Sequence, residues 1–279
     1  MEPTLNAGES AALLPFDALV AALRLALVEL EAGAIACPER QVVPLAGGAR
    51  LLSMVATAAD IAVHKLIAVA PGNPARGLPT ILGQLSALDA ATGERLIGLD
   101  GATVTGRRTA AMSMLGVATL LGRAPRKVLL IGAGSQAQHH ADALAALYPQ
   151  ADVRVAGRGS VGEFCERNRL RAANGIDEDT DLVLTCTTSR TPVYREAARA
   201  GRLLIALGAF TLDAAEIAPA TVRASTVFVD DALGARHEAG DLLQAGLDMA
   251  AVPSLARALG QGPLAEQVPV LFKTVGCAA

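Results

Sequence analysis

A run of four apolar residues, Val128-Leu-Leu-Ile131, stops at Gly132-Ala-Gly134-Ser-Gln-Ala137 and passes directly into a helical pattern over 136–147. A continuous apolar run bounded by glycine reads as a strand covered on both faces, as parallel sheets require. Strand, glycine turn and helix in that order suit a pyrophosphate. Gly132 permits the tight turn, Gly134 lets the backbone approach the phosphates, and Ala137 allows close helix packing. The helix N-terminus, carrying Ser135 and Gln136, attracts the negative charge. The string GxGxxA alone is weak, and its placement after a strand and before a helix makes dinucleotide binding the central expectation.

The alternation continues, with strands expected at 152–156, 182–187, 203–207 and 227–230 and helical segments between some of them. This predicts an α/β fold built on a parallel sheet, a Rossmann domain. Between Gly159 and Asp181 there is room for one helix but not for a further strand and a second helix, so a reduced crossover is expected there. Ahead of this region the pattern differs. Asp17–Ala32 shows helical spacing of Val20, Leu23, Leu27 and Leu30, with Gly33 where a C-terminal cap belongs. Short β-branched runs at 41–45, 50–55 and 61–69 read as strands, 71–79 as a Pro- and Gly-rich loop, and one or two further strands are expected through Leu88. At 279 residues two domains are expected, a first over 1–122 and a dinucleotide-binding one over 123–262.

Composition removes several classes. A net charge of -3 without a basic stripe, and only 3% aromatic residues, leave no footprint for nucleic acid. The uncharged stretch 109–122 is well short of the roughly 20 apolar residues that span a membrane. The start of the chain, 1–9, carries acids rather than a basic region followed by an apolar one, so no secretory leader is expected and cytoplasm is the default. Cys37, Cys165, Cys186 and Cys277 are scattered, and His139 and His140 are adjacent, so no metal site is expected.

Three further features point to an anionic ligand. An acid that would bond the ribose hydroxyls of NAD is missing after the strand 152–156; the chain reads Val155-Ala-Gly157-Arg158-Gly-Ser160 instead. A guanidinium beside a hydroxyl suits the extra phosphate of NADPH, with NADH still open, and the plain alternative is a solvated loop charge. Lys65 interrupts the apolar strand 61–69; buried, it needs an anionic partner, whereas on an edge strand it would be a wet surface lysine. Arg107 and Arg108 precede the apolar helix read over 109–121, so at least one is expected at a helix N-terminus, where a cation is disfavoured unless an anion binds. Arg40 alone reads as a surface charge.

These residues resemble the ornithine cyclodeaminase and μ-crystallin family over nearly the whole chain. The matching segments are Lys65 with Asn73-Pro-Ala-Arg-Gly-Leu-Pro79, Arg108-Thr-Ala-Ala111, the Gly132 turn, Glu238-Ala-Gly-Asp-Leu242 and Phe272-Lys-Thr-Val-Gly276. The resemblance implies an α+β substrate and dimerisation domain, joined by the returning C-terminus (263–279), hence a homodimer. The chain ends at Ala279, soon after the last match, so the family's closing helix is expected to be short or missing. It also implies that Arg40, Lys65 and Arg108 hold a substrate carboxylate, with Lys65 nearest the reacting atoms. Thr80, Arg108, Thr109, Ser135, Gln136, Thr187, Leu207 and Thr274 would lie at the cofactor, together with Arg158 and Ser160.

One departure bears on the reaction. Cyclodeaminases of the family carry an aspartate after the glycine of the 207–210 turn; here the matching residue is Phe210, and Asp213 is shifted by three positions. Without that carboxylate, deamination lacks its base, while reduction of a ready-made imine needs only orientation and charge stabilisation. The expected activity is NADPH-dependent reduction of Δ1-pyrroline-2-carboxylate or Δ1-piperideine-2-carboxylate, with Phe210 against the ring. An ornithine cyclodeaminase, an alanine dehydrogenase and a non-catalytic NADPH-dependent binding protein are the alternatives.

Overall fold

The computed structural model describes residues 4–278, so the chain end at Ala279 and the first three positions of the stretch read for a leader lie outside the described residues. Two compact units emerge: one runs as far as Arg108 and resumes at Cys277, and the other is Thr109–Gly276.

The first unit opens with helix α1 (Ala7–Ala12), which the sequence reading did not anticipate. Asn6 accepts from the Glu9 N–H at 3.0 Å and Glu9 reaches back to the Asn6 N–H at 2.9 Å, closing a capping box. Helix α2 (Phe16–Glu31) follows, burying Phe16, Leu23 and Leu27. Five strands then form an antiparallel meander in sequence order: β1 (Gln41–Pro44), β2 (Arg50–Thr57), β3 (Ile61–Val69), β4 (Ile81–Asp89) and β5 (Arg95–Asp100). The last two extend past the Leu88 limit read from the sequence.

Helix α3 (Gly101–Gly116) begins directly after β5, and the Asp100 carboxylate accepts the Thr103 N–H at 2.8 Å, capping it. Arg107 and Arg108 therefore lie inside a helix and not at its N-terminus, which withdraws the dipole reason for an anion at either. The earlier start comes from Gly101-Ala-Thr-Val-Thr-Gly106, which carries no apolar stripe and so gave no periodic signal. Arg107 stacks over the Phe16 ring at 4.0 Å and donates to the Leu14 carbonyl at 2.8 Å, tying the α1–α2 link.

The second unit is a seven-stranded parallel sheet. Its strands are β6 (Lys127–Ile131), β7 (Asp152–Ala156), β8 (Arg171–Ala172), β9 (Leu182–Thr185), β10 (Leu203–Ala206), β11 (Thr226–Val229) and β12 (Val270–Lys273), in the order β11-β12-β10-β9-β6-β7-β8. Between them run α4 (Ser135–Leu147), α5 (Val161–Asn168), α6 (Pro219–Arg223), α7 (Ala232–Glu238) and α8 (Gly240–Gln244). The crossover after β7 consists of α5 and a two-residue β8, with no helix before β9 among the described residues; the short strand is one for which the sequence reading left no room. Leu129, Ile131, Val183, Leu204 and Leu271 share one packed core with Tyr194, Ile217, Val222 and Leu242. Each such side chain contributes roughly 1.5–3 kcal/mol on burial.

The boundaries differ from 1–122, 123–262 and 263–279. The final strand β12 is inserted between β10 and β11, pairing Val270 with both Leu203 and Thr226. Its backbone bonds hold Val270–Lys273 in the parallel sheet, residues 263–276 belong to the second unit, and only the chain from Cys277 rejoins the first. At the other junction the division falls inside α3, between Arg108 and Thr109.

Candidate functional site

In the first unit, Lys65 sits on β3, the central strand of five, paired opposite Met54 of β2 and Leu85 of β4. It is not an edge lysine. Only 5% of it is exposed, and among the described residues it makes no ion pair with a carboxylate. Burial, reinforced by the guanidinium groups of Arg108 and Arg40, pulls its ammonium down from 10.5 to about 7. Arg108 reaches from α3 and Arg40 from just ahead of β1. Arg108 donates through Nη2 to the Cys277 carbonyl at 3.0 Å, while its buried Nη1 has no hydrogen-bond partner among the described residues. Three cations thus gather around an unmet donor, an arrangement that is costly unless an anion completes it. Thr80 is exposed ahead of β4, at the end of a loop pinned by the Asn73 side chain donating to the Pro79 carbonyl at 2.8 Å.

In the second unit, the residues read from the sequence fall at the carboxyl ends of the parallel strands, where open α/β sheets bind ligands. Gly132 follows β6 with φ of 127°, and a Cβ there would lie 2.5 Å from the Cys186 carbonyl oxygen, so only glycine allows the turn to pass the end of β9. Gly134 is different: a Cβ there would meet nothing within 4 Å. No contact among the described residues explains this glycine. Helix α4 starts here without a side-chain cap, Ala137 is fully buried, and the buried Gln136 Oε1 has no hydrogen-bond partner. Ser135 is exposed beside Gly134. These features fit a dinucleotide.

After β7 comes the glycine-flanked turn with Arg158 and Ser160, both exposed. Among the described residues Arg158 makes no ion pair, and Ser160 begins α5 without spending its hydroxyl on a cap. No carboxylate stands at the end of β7. Thr187 follows β9, Leu207 follows β10 and is buried, and Thr274 follows β12, where its N–H bonds the Ala206 carbonyl at 3.0 Å. Thr109, half-buried, opens this unit on α3. Phe210 is 39% exposed. Asp213, the nearest acid in that loop, is engaged by the Thr211 hydroxyl at 2.7 Å and by Arg190 at 3.4 Å.

The structure also reveals a buried cluster that sequence reasoning gave no role. The Glu216 carboxylate accepts from the Thr187 N–H at 2.6 Å, the Thr187 hydroxyl at 2.8 Å and the Gly208 N–H at 2.5 Å. Asp241 accepts the backbone N–H of Glu216 at 2.5 Å and lies 3.1 Å from the Lys273 ammonium. All three are at most 1% exposed. Lys273 interrupts an apolar strand just as Lys65 does, and that signal was available. Glu216, in Ala215-Glu-Ile217, gave none. Among the described residues no group of three His, Cys, Asp or Glu side chains is placed to hold a metal ion, and no helix is long and apolar enough to cross a membrane.

The second unit is that of a dinucleotide-binding α/β protein, and the first adds a cluster of cations on an antiparallel sheet. The match to the ornithine cyclodeaminase/mu-crystallin family runs over residues 6–278, and the chain belongs to that family. It is 56% identical over 99% of its length, and 92% of the relative's, to Delta(1)-pyrroline-2-carboxylate reductase 2 of Burkholderia ambifaria. Identity is 54%, with the same coverage, to the Delta(1)-pyrroline-2-carboxylate/Delta(1)-piperideine-2-carboxylate reductase of Azospirillum brasilense. The structure of Thermococcus litoralis Delta(1)-pyrroline-2-carboxylate reductase, in complex with NADH and L-proline, shares the fold with a TM-score of 0.87 at 23% identity, over 99% of this chain and 93% of that one.

Proposed function

We propose that the chain reduces Δ1-pyrroline-2-carboxylate and Δ1-piperideine-2-carboxylate to proline and pipecolate, with NADPH as the preferred hydride donor and NADH usable. The observation that carries this reading is the gathering of Lys65, Arg108 and Arg40 with no carboxylate paired to Lys65. The relatives at 54–56% identity are Δ1-pyrroline-2-carboxylate reductases, and the one from Azospirillum brasilense is also a Δ1-piperideine-2-carboxylate reductase.

Bound cofactor supplies the hydride. The protein's part is to hold the ring. Arg108 offers the unpartnered Nη1 to the substrate carboxylate, and Arg40 adds charge. As hydride adds to C2 the imine nitrogen must gain a proton, and Lys65 is its source. An ammonium brought down to about 7 exists in both protonation states near neutrality, so it can donate there and be recharged by solvent. Phe210 packs against the ring in place of the base a cyclodeaminase would need.

Arg158 and the free hydroxyl of Ser160 favour NADPH, since no acid after β7 would repel a 2′-phosphate. A homodimer is favoured by β1: it is a sheet edge, exposed throughout, and presents Val42 and Val43 to a second copy. Among the described residues the four cysteines form no disulfide, which suits a reducing cytoplasm.

The test is NADPH oxidation with five- and six-membered cyclic ketimine acids. Faster turnover of pyruvate with ammonia would make the protein an alanine dehydrogenase, and ammonia release from ornithine with NAD would make it a cyclodeaminase. Tight NADPH binding with no imine reduced would leave a binding protein.

A further inference from the structure

Glu216 is built like a clasp between two loops. Its Oε1 holds Thr187, which follows β9, and its Oε2 holds Gly208, which follows β10. Those strands are hydrogen-bonded neighbours, pairing Leu203–Ala206 with Leu182–Thr185. Parallel neighbours diverge beyond their last ladder bond, and here one carboxylate spans the divergence. The loops also touch: a Cβ on Gly208 would lie 1.7 Å from the Thr187 carbonyl oxygen, so the approach requires glycine there.

Three donors point at Glu216, and a carboxylate, which only accepts, satisfies all of them. Burial pushes its titration upward, and the Lys273 charge opposes that push. From the neighbouring strand β12, Lys273 also pairs with Asp241, whose own charge adds to the upward push on Glu216 and whose other oxygen holds the backbone N–H of Glu216 and of Ile217. Gly240 lets Asp241 reach this place, since a Cβ at that position would lie 2.2 Å from the Ala214 carbonyl oxygen. The cluster therefore runs from β12 through α8 to the loops at the carboxyl edge. Solvent does not reach it, and a purely structural ion pair would not need to end on two ligand-side loops.

We infer that Glu216, backed by Asp241 and Lys273, is a positioning residue that fixes the loops after β9 and β10 at the spacing that receives the nicotinamide half of the dinucleotide. This rests on the proposed use of NAD(P)H, but not on the identity of the substrate. The Gly132 turn and Arg158, which serve the pyrophosphate and adenosine half, lie outside its hydrogen-bond network.

That separation gives the test. In Glu216→Gln the side chain keeps its volume but can no longer accept from both loops. NADPH affinity, by calorimetry, should fall about tenfold, while affinity for 2′,5′-ADP, the adenosine half alone, stays within about twofold. With a ketimine acid, kcat should fall more than the ketimine KM rises. Thr187→Val, which removes the hydroxyl's bond to Glu216 and its acceptance of the Ser189 N–H at 3.3 Å but keeps the Thr187 N–H bond to Glu216, should move NADPH affinity in the same direction by about threefold. It keeps the question open to measurement if Glu216→Gln does not fold. Equal weakening of NADPH and 2′,5′-ADP in either variant, or wild-type affinity in both, would overturn the inference. If the wild-type chain reduces no ketimine yet Glu216→Gln weakens NADPH alone, the substrate reading fails and the clasp stands.

Discussion

Two lysines are buried in strands of this protein, and they are buried on different terms. Lys273, fully enclosed on β12, has the Asp241 carboxylate 3.1 Å from its ammonium. Lys65, 5% exposed on β3, has no carboxylate partner among the described residues and is flanked by Arg108 and Arg40. Desolvation weighs on both. Lys273 is compensated from within the fold, whereas Lys65 is left with a debt that a bound anion would settle. Burial alone thus does not set Lys65 apart; burial without an internal counter-charge is what distinguishes it.

The largest expected effect separates the two in catalysis. Lys65→Met should lower ketimine turnover about a thousandfold, the scale of losing both an acid and an electrostatic anchor, while NADPH affinity by fluorescence titration changes less than about twofold. Turnover near the wild-type rate would erase the distinction drawn above.

The next effect is on stability, and the signs should be opposite. Lys273→Met leaves Asp241 buried without its cation and should cost ~3–5 kcal/mol in denaturant unfolding at neutral pH. Lys65→Met should be neutral or stabilising. The folded-state value of Lys65, about 7, lies below its unfolded value of 10.5. The unfolded chain therefore binds more protons between those limits. The resulting penalty is fully present below about pH 7 and is relieved as pH rises towards 10.5. Wild-type unfolding free energy measured across that window should carry this upward contribution, and Lys65→Met should lose it.

An exposed cation provides the smallest and most selective case. Arg158→Ala should raise the KM for NADPH about tenfold and leave that for NADH nearly unchanged, with no measurable change in thermal midpoint. A similar rise for both nucleotides would assign Arg158 to the shared pyrophosphate and remove the support for NADPH.

What could be read along the chain was what depends on near neighbours. Val128–Ile131, Gly132 and the 136–147 helix announced themselves because a strand, a turn and a helix start are local events. Leu182 and Leu203 likewise begin strands that were visible as buried runs, and the run read from Val227 lies in a strand that starts one residue earlier, at Thr226. Helix α1 was missed because its start depends on an Asn6–Glu9 capping box rather than on an apolar stripe, and α3 was started late for want of one. The Arg107–Arg108 pair was given the wrong electrostatic setting as a result, although Arg108 still came to the side of Lys65.

The sequence by itself determined the dinucleotide turn, the presence of a lysine inside an apolar strand, and the replacement of an acid by Phe210, because each is a matter of residue type in a short window. Only the tertiary structure decided that β12 enters the parallel sheet between β10 and β11, that Lys65 lies on a central strand without a carboxylate, and that Glu216, Asp241 and Lys273 meet. The first and last of those outcomes join residues 25 or more positions apart, as Glu216 and Asp241 are. Strand order and the pairing of buried charges are fixed by which surfaces exclude water together, and no local pattern carries that information.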